Sequence, residues 1–246
     1  MKNASSLVIM ILFAVAWELV ARLFNKAFIL PSPTQIAVRF WELKDVLLLE
    51  HLPITLLTII IGLIISIGSG VAIAVWMSAN SSVRKALYPI LIASQMVPII
   101  ALAPIFVLWF GYTIWSKVAV TVLITFFPIT VNTFDGLSAG KKDMYELLLT
   151  MGATKKDIFL KYSIPAALPH FFSGLKVAVT LSVIGAAIGE WLGAQAGLGY
   201  FSRRMMTQFD GAAVFAPIVV LTAVGIILFL IVSYLENRLL KWRSKS

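Results

Sequence analysis

Six stretches of this chain are apolar over most of their length: 7–24, 54–78, 87–110, 117–137, 170–192 and 213–235. A helix that crosses a bilayer needs about 20 largely apolar residues. The pattern therefore predicts six transmembrane helices, the first being the shortest. That first stretch has a second reading, because Lys2, an apolar run and Ala14-Val15-Ala16 have the anatomy of a cleavable leader. The run continues through Trp17 to Phe24 and its start is weakly charged, which favours retention as a span.

Polar character gathers in two connecting segments. Residues 31–50 open with Pro31-Ser32-Pro33-Thr34 and are expected to form an external turn, then a short amphipathic helix along the membrane surface. Residues 138–168 form the longest polar stretch and the expected cytoplasmic loop. Within it, 143–151 suits a helix, and Gly152 suits the left-handed residue that ends one. Thr154 followed by Asp157 has the signature of a second helix start. Ile158, Phe159 and Tyr162 give that helix an apolar face, and Pro165 is expected to stop it. The expected result is a compact helix–glycine–helix knob, serving either as a docking element or as a plain surface connector. The chain as a whole, 1–246, reads as one transmembrane domain.

Composition agrees with this pattern. Of 246 residues, 60% are hydrophobic and 13% charged, against roughly 45–50% and 25% in soluble domains. One small core cannot bury that excess, so lipid is the expected solvent. The net charge of +9 fits cationic cytoplasmic loops and calls for no nucleic acid. With the N-terminus inside, the cytoplasmic cations are Lys2, Arg84, Lys85, Lys141, Lys142, Lys155, Lys156, Lys161, Arg238, Lys241, Arg243 and Lys245. The outer ones are Arg22, Lys26, Arg39, Lys44, Lys117, Arg203 and Arg204. This bias places both termini in the cytoplasm. With no cysteine, and only His51 and His170 as imidazoles, no metal centre or thiol chemistry is expected. Trp17, Trp41, Trp109, Trp115, Trp191 and Trp242 fall near expected interfaces, as anchors.

Several features bear on transport. Gly62, Ser66 and Gly70, and again Gly185, Gly189 and Gly193, recur every four residues, a spacing that lets helix backbones approach closely in lipid. Intramolecular packing is the plainer use, a subunit interface the other. Pro98 and Pro104 interrupt one span just after Gln95 and Met96, and such breaks either kink a helix or line a pathway. The ionisable residues inside spans are Glu18, Lys176 and Glu190. Lys176 is expected to snorkel, Glu190 to sit near the outer end in a wetted or a structural place, and Glu18 to bond a neighbouring helix. On the residues alone, an ATP-independent secondary transporter or channel and a membrane-embedded enzyme remain alternatives to an ATP-driven permease. The first would show buried charge pairs or inverted repeats, the second a cluster of histidines or carboxylates.

The loop then brings in a family. Glu146, Gly152 and Pro165 match the spacing of the E-A-A-x3-G-x9-I-x-L-P motif of ABC-importer permeases. Leu147 and Leu148 replace the two alanines, Tyr162 the isoleucine and Ile164 the leucine. The resemblance extends to PIIALAPIFVLWFG (Pro98 to Gly111), Asn132-Thr133, Asp135-Gly136 and GEWLGAQAGLGY (Gly189 to Tyr200). Together these resemble the branch serving nitrate, sulfonates, taurine and thiamine-pyrimidine precursors. The resemblance implies an all-α polytopic permease of the type I importer fold, multi-pass in a bacterial inner membrane. It implies a homodimer with two ATPase subunits and an external substrate-binding protein. Glu146, Leu147, Leu148, Gly152, Ala153, Thr154, Asp157 and Pro165 would couple to the ATPase. Gln95, Met96, Pro98, Pro104, Gly185, Gly189 and Glu190 would belong to the translocation path. The sequence has no G-x-x-x-x-G-K-[ST] phosphate loop, so ATP and magnesium would be used by the partner ATPase, with no cofactor in this chain.

Overall fold

The computed structural model describes residues 2–139 and 142–241, with side chains for 8–139 and 144–241. Lys141, Arg243, Lys245 and Trp242 of the reading above lie outside the described residues, as do the side chains of Lys2 and Lys142. The described residues are mainly helical, without strands: α1 Lys2–Phe24, α2 Pro33–Asp45, α3 Leu52–Ala79, α4 Ser81–Ser94, α5 Ile99–Phe110 and α6 Ile114–Ser138. There follow α7 Lys142–Thr150, α8 Lys155–Ile158, α9 Ile164–Gly193, α10 Leu198–Thr207 and α11 Gly211–Leu239.

Four helical runs among the described residues are long and apolar enough to cross a membrane, or five when α4 and α5 count as one bent span. This corrects the sequence picture in three places. The expected span 87–110 is two helices, α4 and α5, meeting at 100°. Proline has no N–H and pushes its predecessor out of the helical region, so α4 ends at Ser94 and α5 restarts behind Pro98. Residues 31–50 are not set apart from the next span. Ser32 opens α2 with a capping box, and a wide turn at Val46–His51 carries α2 into α3 as one 47-residue run. Pro165 does not end a helix either. A second wide turn, Phe159–Ser163, joins α8 to α9, and Pro165 sits just behind it within one continuous run.

The centre of the bundle is α6, flanked by α3 and α9. Both neighbours turn small residues towards it. A side chain at Gly62 would meet Thr121, and one at Gly70 would meet Thr130 and Ile129. Between them, Ser66 Oγ lies 2.7 Å from Thr125 Oγ1. From the other side Gly174, Gly185, Gly189 and Gly193 face Pro128 and Asn132, Thr121, Lys117, and Val107 with Ser116. Both glycine series thus serve packing inside this chain, in keeping with small residues drawing membrane helices together. α9, about 45 Å long at 1.5 Å per residue, runs antiparallel to α6. α10 and α11 close one side, fixed to α2 by Arg39, whose guanidinium reaches Asp210 Oδ2 at 2.7 Å while Asp210 caps α11 through Ala213 N. The α1 helix docks lightly on α2: Glu18 accepts from Thr34, and Trp17 Nε1 donates to Pro31 O.

Candidate functional site

The expected knob is present. α7 ends in paired bonds, Ala153 N to Leu148 O and Gly152 N to Leu149 O, both 3.0 Å. These are the 6→1 and 5→2 closures of a Schellman cap, and they need a left-handed residue. Gly152 supplies it at φ +87°, with open space around it. Thr154 then caps α8, its Oγ1 accepting from Asp157 N at 3.1 Å, and Lys161 pairs with Asp157 at 2.8 Å. Glu146, Leu147, Gly152 and Thr154 are exposed, while Leu148, Ala153, Asp157 and Pro165 are half-buried. No described side chain of α7 is buried. Leu147 is 52% exposed and Met151 74%, with Met144, Leu149 and Leu160 also exposed. An apolar surface on a loop outside the spans fits a protein partner.

The path candidates fall into two groups. Gln95, Met96, Pro98 and Pro104 are exposed at and beyond the α4–α5 break. Gln95 closes α4, and Pro98 precedes α5. Gly185 and Gly189 are buried against α6 instead, and Glu190 is fully buried. An open groove of 710 Å³ runs between α9 and α11, bordered by Ile100, Ile184, Trp191, Leu221, Ile226 and Phe229; none of the path candidates lines it.

The GEWLGAQAGLGY segment has a definite structural role. Gly189 lets α9 lie against Lys117, Gly193 fits beside Val107, and Gly199 lies on the Ala187 carbonyl. Gly197, at φ +118°, leaves the room that the Glu190 carboxylate fills. Three successive N–H groups at the start of α10 then find side-chain acceptors from three elements. Gly197 N donates to His51 Nδ1 at 3.1 Å, Leu198 N to Thr55 Oγ1 at 2.9 Å and Gly199 N to Glu190 Oε2 at 2.8 Å. A carboxylate beneath a helix start matches the positive end of the dipole. Of the two uses expected of Glu190, wetted or structural, the structural one holds. Lys176, expected to snorkel, pairs with Glu236 of α11 at 2.7 Å. Lys117, counted with the outer loops by charge, is buried on α6 at 6% exposure. The sequence reading missed both Lys117 and His51.

A bundle with an exposed apolar knob at one end and a broken helix on its flank defines a polytopic membrane transport subunit. Residues 62–241 match the family described as the binding-protein-dependent transport system inner membrane component, and the chain belongs to that family. It is similar to the formylaminopyrimidine transport permease protein of Halalkalibacterium halodurans, 57% identical over 235 residues, covering 96% of this chain and 94% of that one. It is 32% identical to the riboflavin transport system permease protein of Chloroflexus aurantiacus, covering 96% and 89%. The taurine transport system permease protein of Escherichia coli is 24% identical, covering 96% and 88%. The chain is thus a multi-pass inner-membrane permease subunit of an ABC transporter that works with an ATPase and a substrate-binding protein. It is a transport component and not an enzyme, which closes the secondary-transporter and membrane-enzyme alternatives.

Proposed function

We propose that this chain imports a small nutrient handed over by an external binding protein, and that the nutrient is a pyrimidine of the vitamin-precursor kind. The relative at 57% identity, named for formylaminopyrimidine, supports that choice over sulfonate, taurine or nitrate. The whole of 1–246 acts as one transmembrane domain, paired with a second copy and served by two ATPase subunits that bind ATP and magnesium. Both termini and the 138–168 loop face the cytoplasm, where the counted lysines and arginines concentrate.

The knob carries the reading. ATP binding closes the ATPases on Glu146, Leu147, Leu148, Gly152, Ala153, Thr154 and Asp157, and α8 runs without interruption past Pro165 into α9. Gln95, Met96, Pro98 and Pro104 face the path at the helix break, where freed backbone carbonyls find polar company. Gly185, Gly189 and Glu190 shape that path from behind by setting the spacing of α9, α6 and α10.

Two results are expected. The purified chain shows no ATP hydrolysis, yet it co-purifies with a co-expressed ATPase subunit; hydrolysis by the isolated chain, or uptake by vesicles without any ATPase, would contradict the reading. Orientation is tested in this cysteine-free sequence with single cysteines at positions 3, 45, 148 and 244. An impermeant thiol reagent applied to intact cells should label position 45 alone, and labelling at 148 would reverse the topology.

A further inference from the structure

The start of α10 is held by a side chain that acid can disable. His51 Nδ1 accepts from Gly197 N at 3.1 Å, so that nitrogen carries a lone pair, the ring is neutral and its proton sits on Nε2. The ring closes the wide turn Val46–His51 and lies against α10, its centroid 6.2 Å from that of Tyr200 and 5.1 Å from that of Phe201. At 7% exposure it is enclosed but not sealed. The charged groups acting on it are Glu50 of the same turn and Arg204 of α10, both exposed. Tyr200 of α10 and Glu190 of α9 are the other titratable groups at this seat. Thr55 Oγ1 and Glu190 Oε2 hold the next two N–H groups. Of the three acceptors, the imidazole is the one that ordinarily titrates near neutrality. A hydroxyl or an amide oxygen in its place would accept at every pH; histidine makes the seat conditional.

We propose that His51 is an acid-sensitive positioning residue: its neutral ring seats α10, and one proton on Nδ1 releases that seat and slows import. The proton comes from water and adds to the Nδ1 lone pair. Both ring nitrogens are then donors, and Gly197 N–H faces a donor in place of an acceptor. The new cation also meets the positive end of the α10 dipole. Leu198 and Phe201 share the core cluster of Leu47, and α10 is the link from α9 to α11, so the loss is felt beyond one hydrogen bond. The contribution of the seat is present while His51 is neutral and is lost as the medium is acidified through its titration. The effect on import rests on the permease reading; the effect on stability does not.

Two readouts test this from about pH 8 to about pH 5, the range in which imidazoles take up a proton. The first is uptake by the permease assembled with its ATPase in proteoliposomes, using binding protein loaded with formylaminopyrimidine. The second is thermal unfolding of the detergent-purified permease. The unaltered protein should lose uptake several-fold and melt lower as the pH falls. His51→Asn places an oxygen acceptor where Nδ1 stands and does not titrate. It should hold uptake at pH 8 within about twofold and show a much shallower acid loss in both readouts. His51→Phe keeps a ring without an acceptor and should be low at both ends, or fail to assemble, as a buried N–H left unpaired predicts. The other histidine of the chain is His170, and His170→Asn should keep the full acid loss. Effects of pH on the partner proteins are common to all variants and cancel in the comparison. The same acid loss in His51→Asn as in the unaltered protein, or no acid loss of either kind in the unaltered protein, overturns the proposal. No uptake by the unaltered assembly at any pH, with the melting difference intact, overturns the permease reading and leaves the seat standing.

Discussion

Gly152→Val should abolish most uptake while leaving the membrane bundle intact. At φ +87° a β-branched residue is strained by about 1–3 kcal/mol, and each 1.4 kcal/mol depopulates the native cap about tenfold. The strain has no second cause, because nothing lies within 4 Å of a Cβ built there. The chain can relieve it only by giving up the closures from Ala153 and Gly152 to Leu148 and Leu149. That frays α7 and turns its exposed leucines away from their present heading. The change precedes the run Lys155–Gly193 and meets none of the packed helices, so expression and insertion should match the unaltered protein. Gly152→Asn, whose side chain tolerates the left-handed region, should retain far more uptake than valine. Glu146→Lys should act in the same direction as valine. Uptake of labelled formylaminopyrimidine, measured beside co-purified ATPase per permease, checks all three. Full uptake with valine would remove the coupling role assigned to the knob.

Gly174→Val should instead prevent the bundle from assembling. A Cβ at that position would lie 2.5 Å from the Pro128 carbonyl oxygen and 2.8 Å from Asn132 Cβ. The first of these is main chain, held in place while also accepting from Asn132 Nδ2 at 2.8 Å. No rotamer change relieves such a clash, so α6 and α9 must separate, and overpacking of this kind costs about 1–3 kcal/mol or more. Monodisperse protein recovered in detergent should fall several-fold, as changes of this size reduce cellular abundance. Gly68→Val supplies the contrast: it sits mid-span on α3 with nothing within 4 Å and should accumulate like the unaltered chain. Equal recovery of the two variants would show that α6 and α9 are not in the contact described.

These two glycines also mark where the sequence was readable. Gly152 stands between a helical pattern and a Thr–x–x–Asp start, so local rules alone place it in the left-handed region. Gly174 has no such neighbours; its role depends on a carbonyl 46 positions earlier in the chain, which no periodicity reports. The helical class followed from the apolar runs, yet their boundaries did not. Apolar composition continues across the Val97-Pro98 break as if the helix did too. The wide turns at Val46–His51 and Phe159–Ser163 lack glycine and proline, so nothing in the residues announces them. Lys117 was counted as an outer cation because its place at the start of an apolar run gives no sign that α6 buries it. The segment from Gly189 to Tyr200 stood out, but the acceptors on His51 and Thr55 for its backbone N–H groups come from helices far away in sequence.

The wide turn at Phe159–Ser163 has a mechanical meaning. Because it widens the helix and does not break it, α8, the turn and α9 form one rod of 39 residues, about 59 Å long at 1.5 Å per residue. A rod gripped along α6 by glycine contacts behaves as a lever, so a push on its exposed end is felt as tilt at the other and is not lost in a slack hinge. The turn also sets the phase of that lever. One inserted residue swings everything beyond it through about 100° around the axis, so the widened turn fixes the compass bearing on which the knob meets its partner.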